Sequence, residues 1–334
     1  MGSQNRRKKT VSKTSINGNF GHVIWITLFM ISTIVLGQGI AGADALEYLS
    51  PWSIGTEFMY SFIDGQMGFD QTPTGFGTLN DLRSDLGLPQ DNQTFRVYAT
   101  MRPLEHHMLR VFGNVPELYQ SETRPQKDLR VTEYTSTIIT AGANNNISNN
   151  RVIVFPQGTL VKSQMRTAQF GFGYDLDFIT GPGHAAGLQG EFRYIDLRVS
   201  LSDSEARVIP PGSIGSEGTL INYQNNIISL DELVPCLGAH AMAVLPFGFS
   251  HMFPELTLGG YTRMSFGLYP GYLNYVDIQA GLQLNSGSKC GSRRFLVAKF
   301  GLEHESIFHD GATRAGRVME LKRDGLTCAL EAVF

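Results

Sequence analysis

Two groups of residues are of types that could do chemistry. The first is His304-Glu305-Ser306, followed by His309 and Asp310. A serine hydroxyl is a poor nucleophile until a neighbouring base takes its proton, and in an extended chain residues two apart share a face. The second is a set of charged residues of both signs: Glu57, Arg96, Arg110, Asp175, Asp177, Arg263, Asp277, Lys299 and Glu303. They sit at alternate positions in otherwise apolar segments, so an extended chain would turn them all to one side. Gathered in one interior, such groups would either satisfy each other by pairing or line a path for solutes. His106-His107 lacks a third ligand nearby and gives no metal site. The patterns G-x-S-x-G and G-x-x-x-x-G-K-[ST] do not occur in the sequence, and no cofactor is expected.

The elements that must hold these residues read as strands. Trp52 to Ile63 places Trp52, Ile54, Phe58, Tyr60 and Phe62 on one face and Ser53, Gly55, Glu57 and Ser61 on the other, a period of two. Gln93 to Met101 and His107 to Gly113 form a hairpin about the turn at 102 to 106. In Gln169 to Phe178, Phe170, Phe172, Tyr174, Leu176 and Phe178 oppose Gly171, Gly173, Asp175 and Asp177. Five large apolar groups cannot face water, and a small acidic face cannot be a packed core. Lipid outside and a polar lumen inside satisfies both. A strand from about Gly187 to Leu201 ends with Ile195, Leu197, Val199 and Leu201 opposite Asp196, Arg198 and Ser200. Further strands run from about Val234 to Leu245, Glu255 to Leu268, Asn274 to Leu284, Arg293 to Glu303 and Arg317 to Phe334.

That makes ten, an even number that returns both ends to one side. Long connections near 64–92, 115–157 and 202–233 alternate with short ones near 102–106, 181–184 and 285–292, so the long ones are expected outside the cell. Val131 to Thr140, rich in Thr and Ile, could be an extra hairpin in an outer loop or two more wall strands, which would give twelve.

Residues 1–43 read as a cleaved leader: Arg6, Arg7, Lys8, Lys9 and Lys13 precede an apolar run from Val23 to Leu36, and Ala41-Gly42-Ala43 supplies the small-residue cut, with Ala45 as the alternative site. Removing it takes away five cations and no anion, moving the balance from 27 basic and 30 acidic residues to a net of about −8. An acidic protein is a poor partner for nucleic acid. Cys236, Cys290 and Cys328 have no C-x-x-C spacing, which excludes zinc-finger and thioredoxin-type sites; one disulfide is possible and its pair is not deducible. With 37 Gly, 21 Phe and 12 Tyr, and no later apolar run of 18 residues, the chain does not describe a helical membrane protein. Alternating strands average to neutral hydropathy.

Over residues 46–334, the leader, ten amphipathic strands, loop asymmetry and terminal Phe334 together resemble Gram-negative outer-membrane β-barrel proteins as a class. The resemblance implies an antiparallel up-and-down barrel in the outer membrane, porin-like in build, with lipid and lipopolysaccharide as surroundings, a monomeric state, and Phe334 as a signal read by the barrel assembly machinery. It implies no activity, and the leading expectation is surface interaction or restricted passage of small solutes rather than catalysis. Separately, His304 and Ser306 look like the His-x-Ser arrangement of outer-membrane lipid A deacylases, although Ile307 stands where that family has Asn. This likeness implies His304 as general base, Ser306 as nucleophile and a carboxylate, for which Glu320 is the candidate, orienting the histidine.

Overall fold

The computed structural model describes residues 52–68, 79–104, 106–135, 149–181, 184–209, 218–244, 256–269, 273–286, 295–311 and 317–334. The leader and Cys290 lie outside the described residues. Regular structure there is entirely strand: β1 (Trp52–Gly68), β2 (Leu79–Asp81), β3 (Asp91–Leu104), β4 (His107–Asn114), β5 (Glu117–Thr123), β6 (Leu129–Thr135), β7 (Asn149–Phe155), β8 (Val161–Gly181), β9 (His184–Ile209), β10 (Thr219–Val244), β11 (Leu256–Tyr269), β12 (Leu273–Ser286), β13 (Phe295–Gly311) and β14 (Arg317–Val333).

Ten of these close a ring. In order around the wall they are β1, β3, β4, β8, β9, β10, β11, β12, β13 and β14, every neighbouring pair antiparallel. The seam between the two ends of the chain is continuous, with Ser53 opposite Val333 and Gly68 opposite Val318, and the Phe334 amide donates to the Trp52 carbonyl at 2.9 Å. The ten sequence-read strands are these ten. β5 continues β4 after Val115-Pro116, where the chain leaves β3 but stays on β8; proline has no N–H for the abandoned ladder. Of the ambiguous 131–140 region the described part, 131–135, belongs to β6, which pairs antiparallel with β7, itself attached to the end of β9. β6 and β7 add nothing to the wall, so among the described residues the count is ten and not twelve.

Trp52 and Val333 mark the end that carries the short turns, the periplasmic end of such a barrel. Above it runs a band of outward apolar side chains, among them Trp52, Phe95, Phe172, Phe192, Leu237, Phe300 and Leu330, all well exposed. A closed sheet wearing such a band has its solvent in hydrocarbon.

Toward the other end the amphipathicity inverts although the alternation along β9 itself runs on unbroken from 189 to 201. On β9 the inward side chains run Gln189, Glu191, Arg193 and then Ile195, Leu197, Val199 and Leu201, all buried. The outward ones run Leu188, Phe192, Tyr194 and then the polar Asp196, Arg198, Ser200. Ile195, Leu197, Val199 and Leu201 thus face the interior, the reverse of the apolar face in 169–178. The strand has risen out of the membrane, so its outer face meets water and its inner face builds a core. β8 and β14 do the same, with Met165 and Val161, and Leu321 and Met319, inside.

The long connections fill this upper space. Much of 202–233 is strand, the extended β9–β10 hairpin. In 64–92, Asp81 accepts from the amides of Arg83 and Ser84 at 2.9 and 2.7 Å, starting a tight turn that Gly87 ends at φ 66°, a conformation open to glycine. That turn delivers Leu82, Leu86 and Leu88 to one apolar cluster with Tyr119, Leu129, Val131, Phe155, Leu197, Tyr223 and Leu321.

Candidate functional site

The wall strands bring the inward charges together in the middle and lower lumen. Arg96 on β3 donates to Glu57 on β1 at 2.9 Å and to Glu303 on β13 at 2.7 Å, with Nε on Asn114 at 2.9 Å. Arg193 on β9 reaches Glu191 at 2.8 Å and Asp277 at 2.9 Å, and its guanidinium stacks between the Phe112 and Tyr275 rings, 4.7 and 4.6 Å from their centroids. Arg323 on β14 bridges Glu117 and Glu305, while Glu305 also accepts from Gln169 and Tyr275 at 2.7 and 2.8 Å. Arg110 donates to Glu191 at 2.7 Å, and Arg263 to Asp175 at 3.3 Å. These are paired, multiply bonded ions in a low-dielectric interior, where a single unpaired charge would be costly.

Directly above the Arg193 and Arg323 pairs begins the apolar cluster, so among the described residues the barrel is blocked twice, by ions and then by hydrocarbon. Burial, together with the neighbouring Glu117 carboxylate, holds the Tyr119 phenol far above its ordinary range; it stays a proton donor to Glu117.

Below the ions lies a cavity of about 210 Å3. Glu57, Arg96, Arg110, Asp175, Asp177, Arg263, Asp277 and Lys299 line it; Glu303 is buried behind Arg96. Residues that reading the sequence did not single out also belong here: Arg102 and His240, both bonded to Asp177 at 2.7 and 2.6 Å, and Glu331, bonded to Lys299 at 2.7 Å. Arg193 and Glu191 carried a signal, since they continue the odd-numbered face of β9. The upward change of that face from polar to apolar concealed it.

The His304 pattern is on the outside. His304 and Ser306 point outward from β13, level with the upper edge of the apolar band, while Glu305 between them points inward and is buried. His304 Nδ1 lies 2.5 Å from Asp324 Oδ1. Glu320 is opposite Phe308 and bonds Lys322 at 2.7 Å. The carboxylate beside His304 is thus Asp324 and not Glu320, because the β13–β14 register sets Asp324 directly across. Among the described residues no group of three or more His, Cys, Asp or Glu could hold a metal ion. Cys236 is buried in the lumen and Cys328 lies exposed on the outer face, both as free thiols.

No protein-family model matches the sequence, and no curated protein matches it. Among solved structures the chain is similar to the outer membrane protease OmpT from Escherichia coli, at 10% identity over 86% of this chain and 99% of that one, with a TM-score of 0.38. It is also similar to the translocator domain of the autotransporter NalP from Neisseria meningitidis, at 10% identity over 92% and 96% of the two chains with a TM-score of 0.32. The transport unit of the autotransporter AIDA-I from Escherichia coli gives 8% identity over 92% and 97% with a TM-score of 0.32. Independently of these likenesses, the ten-stranded closed wall, its outward apolar band and its polar mid-lumen make this chain an integral β-barrel of the Gram-negative outer membrane.

Proposed function

We propose that the protein works through its extracellular surface and not as an open pore. The observation that supports this reading is the continuous apolar cluster in the upper barrel, sealed below by the Arg193 and Arg323 ion pairs. A wall that rises above the membrane around a packed core is a rigid platform, and binding residues are commonly displayed on such scaffolds. Single-channel recording of the refolded protein in a planar bilayer tests it. Silence from a barrel of verified fold is the expected result, and steady ion-selective openings would replace this reading with solute passage.

The His304–Asp324 contact favours a second reading, a lipid-modifying hydrolase. An aspartate on Nδ1 holds the ring in the tautomer whose Nε2 can accept a serine proton, and Ser306 stands on the same outward face at the height where lipid headgroups meet acyl chains. Mass spectrometry of lipid A from cells with the wild-type protein and with Ser306→Ala checks it: loss of an acyl chain only with the wild type is expected on this reading, and identical spectra would remove it.

A further inference from the structure

The ion pairs around the lower cavity are not symmetric toward the empty space. The Arg263 side chain is 16% exposed and its partner Asp175 only 1%. Arg110 is 12% exposed against 0% for Glu191, and Lys299 26% against 11% for Glu331. Arg102 follows the same order over Asp177; Glu57 beside Arg96 and, by a single per cent, Asp277 beside Arg193 are the exceptions. The carboxylates form an outer layer against the wall, and the cations stand in front of them. Each carboxylate takes one edge of its cation. A guanidinium has five N–H donors in a fixed fork, so Arg263 and Arg110 retain donors beyond the ones that reach Asp175 and Glu191. Tyr98, Tyr261 and Met242 supply apolar surface on the same cavity.

We propose that this cavity is a binding site for a small organic carboxylate entering from the periplasmic end, with Arg263 and Arg110 grasping the anion and Lys299 as a second positive contact. The hidden acids keep the cations ordered and the net charge near zero, so the site is pre-organised and its ions are already desolvated. Both features favour a planar, bidentate acceptor over a diffuse counterion. The cavity reaches Ser53, Ala185 and Val333, each within two residues of the periplasmic end of its strand. It stops at Arg193 and Asp277, so the site has one polar end and no route upward among the described residues.

The test is titration calorimetry on the refolded full chain at low ionic strength, with succinate as the probe and putrescine as the cation of similar length. Succinate is expected to bind once per chain, and putrescine not to bind. Removing Arg263 alone would strand Asp175, so the paired change Arg263→Met with Asp175→Asn is used; succinate should bind at least tenfold more weakly. Asp175→Asn alone should leave binding equal or tighter, which a purely structural role for the pair would not give. Lys299→Met with Glu331→Gln provides an independent second variant, also expected to weaken binding. No succinate binding to a folded wild-type barrel, preference for putrescine, or binding unmoved by both paired variants would overturn the proposal, the last marking an adventitious surface contact.

Discussion

At the scale of single residues, Arg193 organises the mid-lumen. It joins three carboxylates, Glu191, Asp277 and, at 3.8 Å, Glu305, and two aromatic rings while its own surface is almost wholly hidden. Arg193→Met should destabilise the barrel by about 3–5 kcal/mol, because Glu191 and Asp277 would lose their shared cation while remaining buried. Urea unfolding in detergent checks it, and adding Glu191→Gln and Asp277→Asn to the same protein should recover part of the loss. Gly238 is a second sensitive point: a Cβ there would lie 1.9 Å from the Met264 carbonyl oxygen. Backbone cannot swing aside as a side chain can, so Gly238→Ala should lower the yield of folded barrel. The facing of Asp175 and Asp177 was legible from period-two alternation in 169–178, since an extended chain has only two sides. Partners were not legible. Which carboxylate meets His304 depends on the pairing of β13 with β14, and a slip of four residues separates Glu320 from Asp324.

At the scale of elements, the number and place of the wall strands could be read because the lipid-facing stretches alternate strongly and are bounded by turns. Their length could not. The rule that apolar means outward holds only while the outside is hydrocarbon; above the membrane the same strand obeys the rule of a water-soluble sheet, with apolar residues inside. This is why 202–233 read as loop. The inversion makes a paired prediction on β8 and β9. Leu197→Ala, on the inner face, should cost about 2–5 kcal/mol as a cavity in a packed core. Arg166→Ala, on the outer face, should change stability by no more than about 0.5 kcal/mol. Comparing the two urea midpoints decides it, and equal losses would mean that the upper barrel has no core.

At the scale of the whole molecule, closure removes every wall edge, so the folded form should resist dodecyl sulfate until heated and migrate differently on a gel before and after boiling. Identical migration would count against the closed ring. Closure does not make the wall uniform. β9 and β10 each run 26 residues, whereas β11 and β12 run 14, and the link from Tyr269 to Leu273 is three residues long. At about 3.3 Å per residue, the taller strands carry roughly 40 Å of extra length. Among the described residues the wall is thus taller along β9 and β10 than along the adjoining β11 and β12. A step of that size between adjoining strands leaves the upper edges of β9 and β10 standing as a bare ridge of sheet, where both faces of the hairpin meet solvent or core and neither meets lipid.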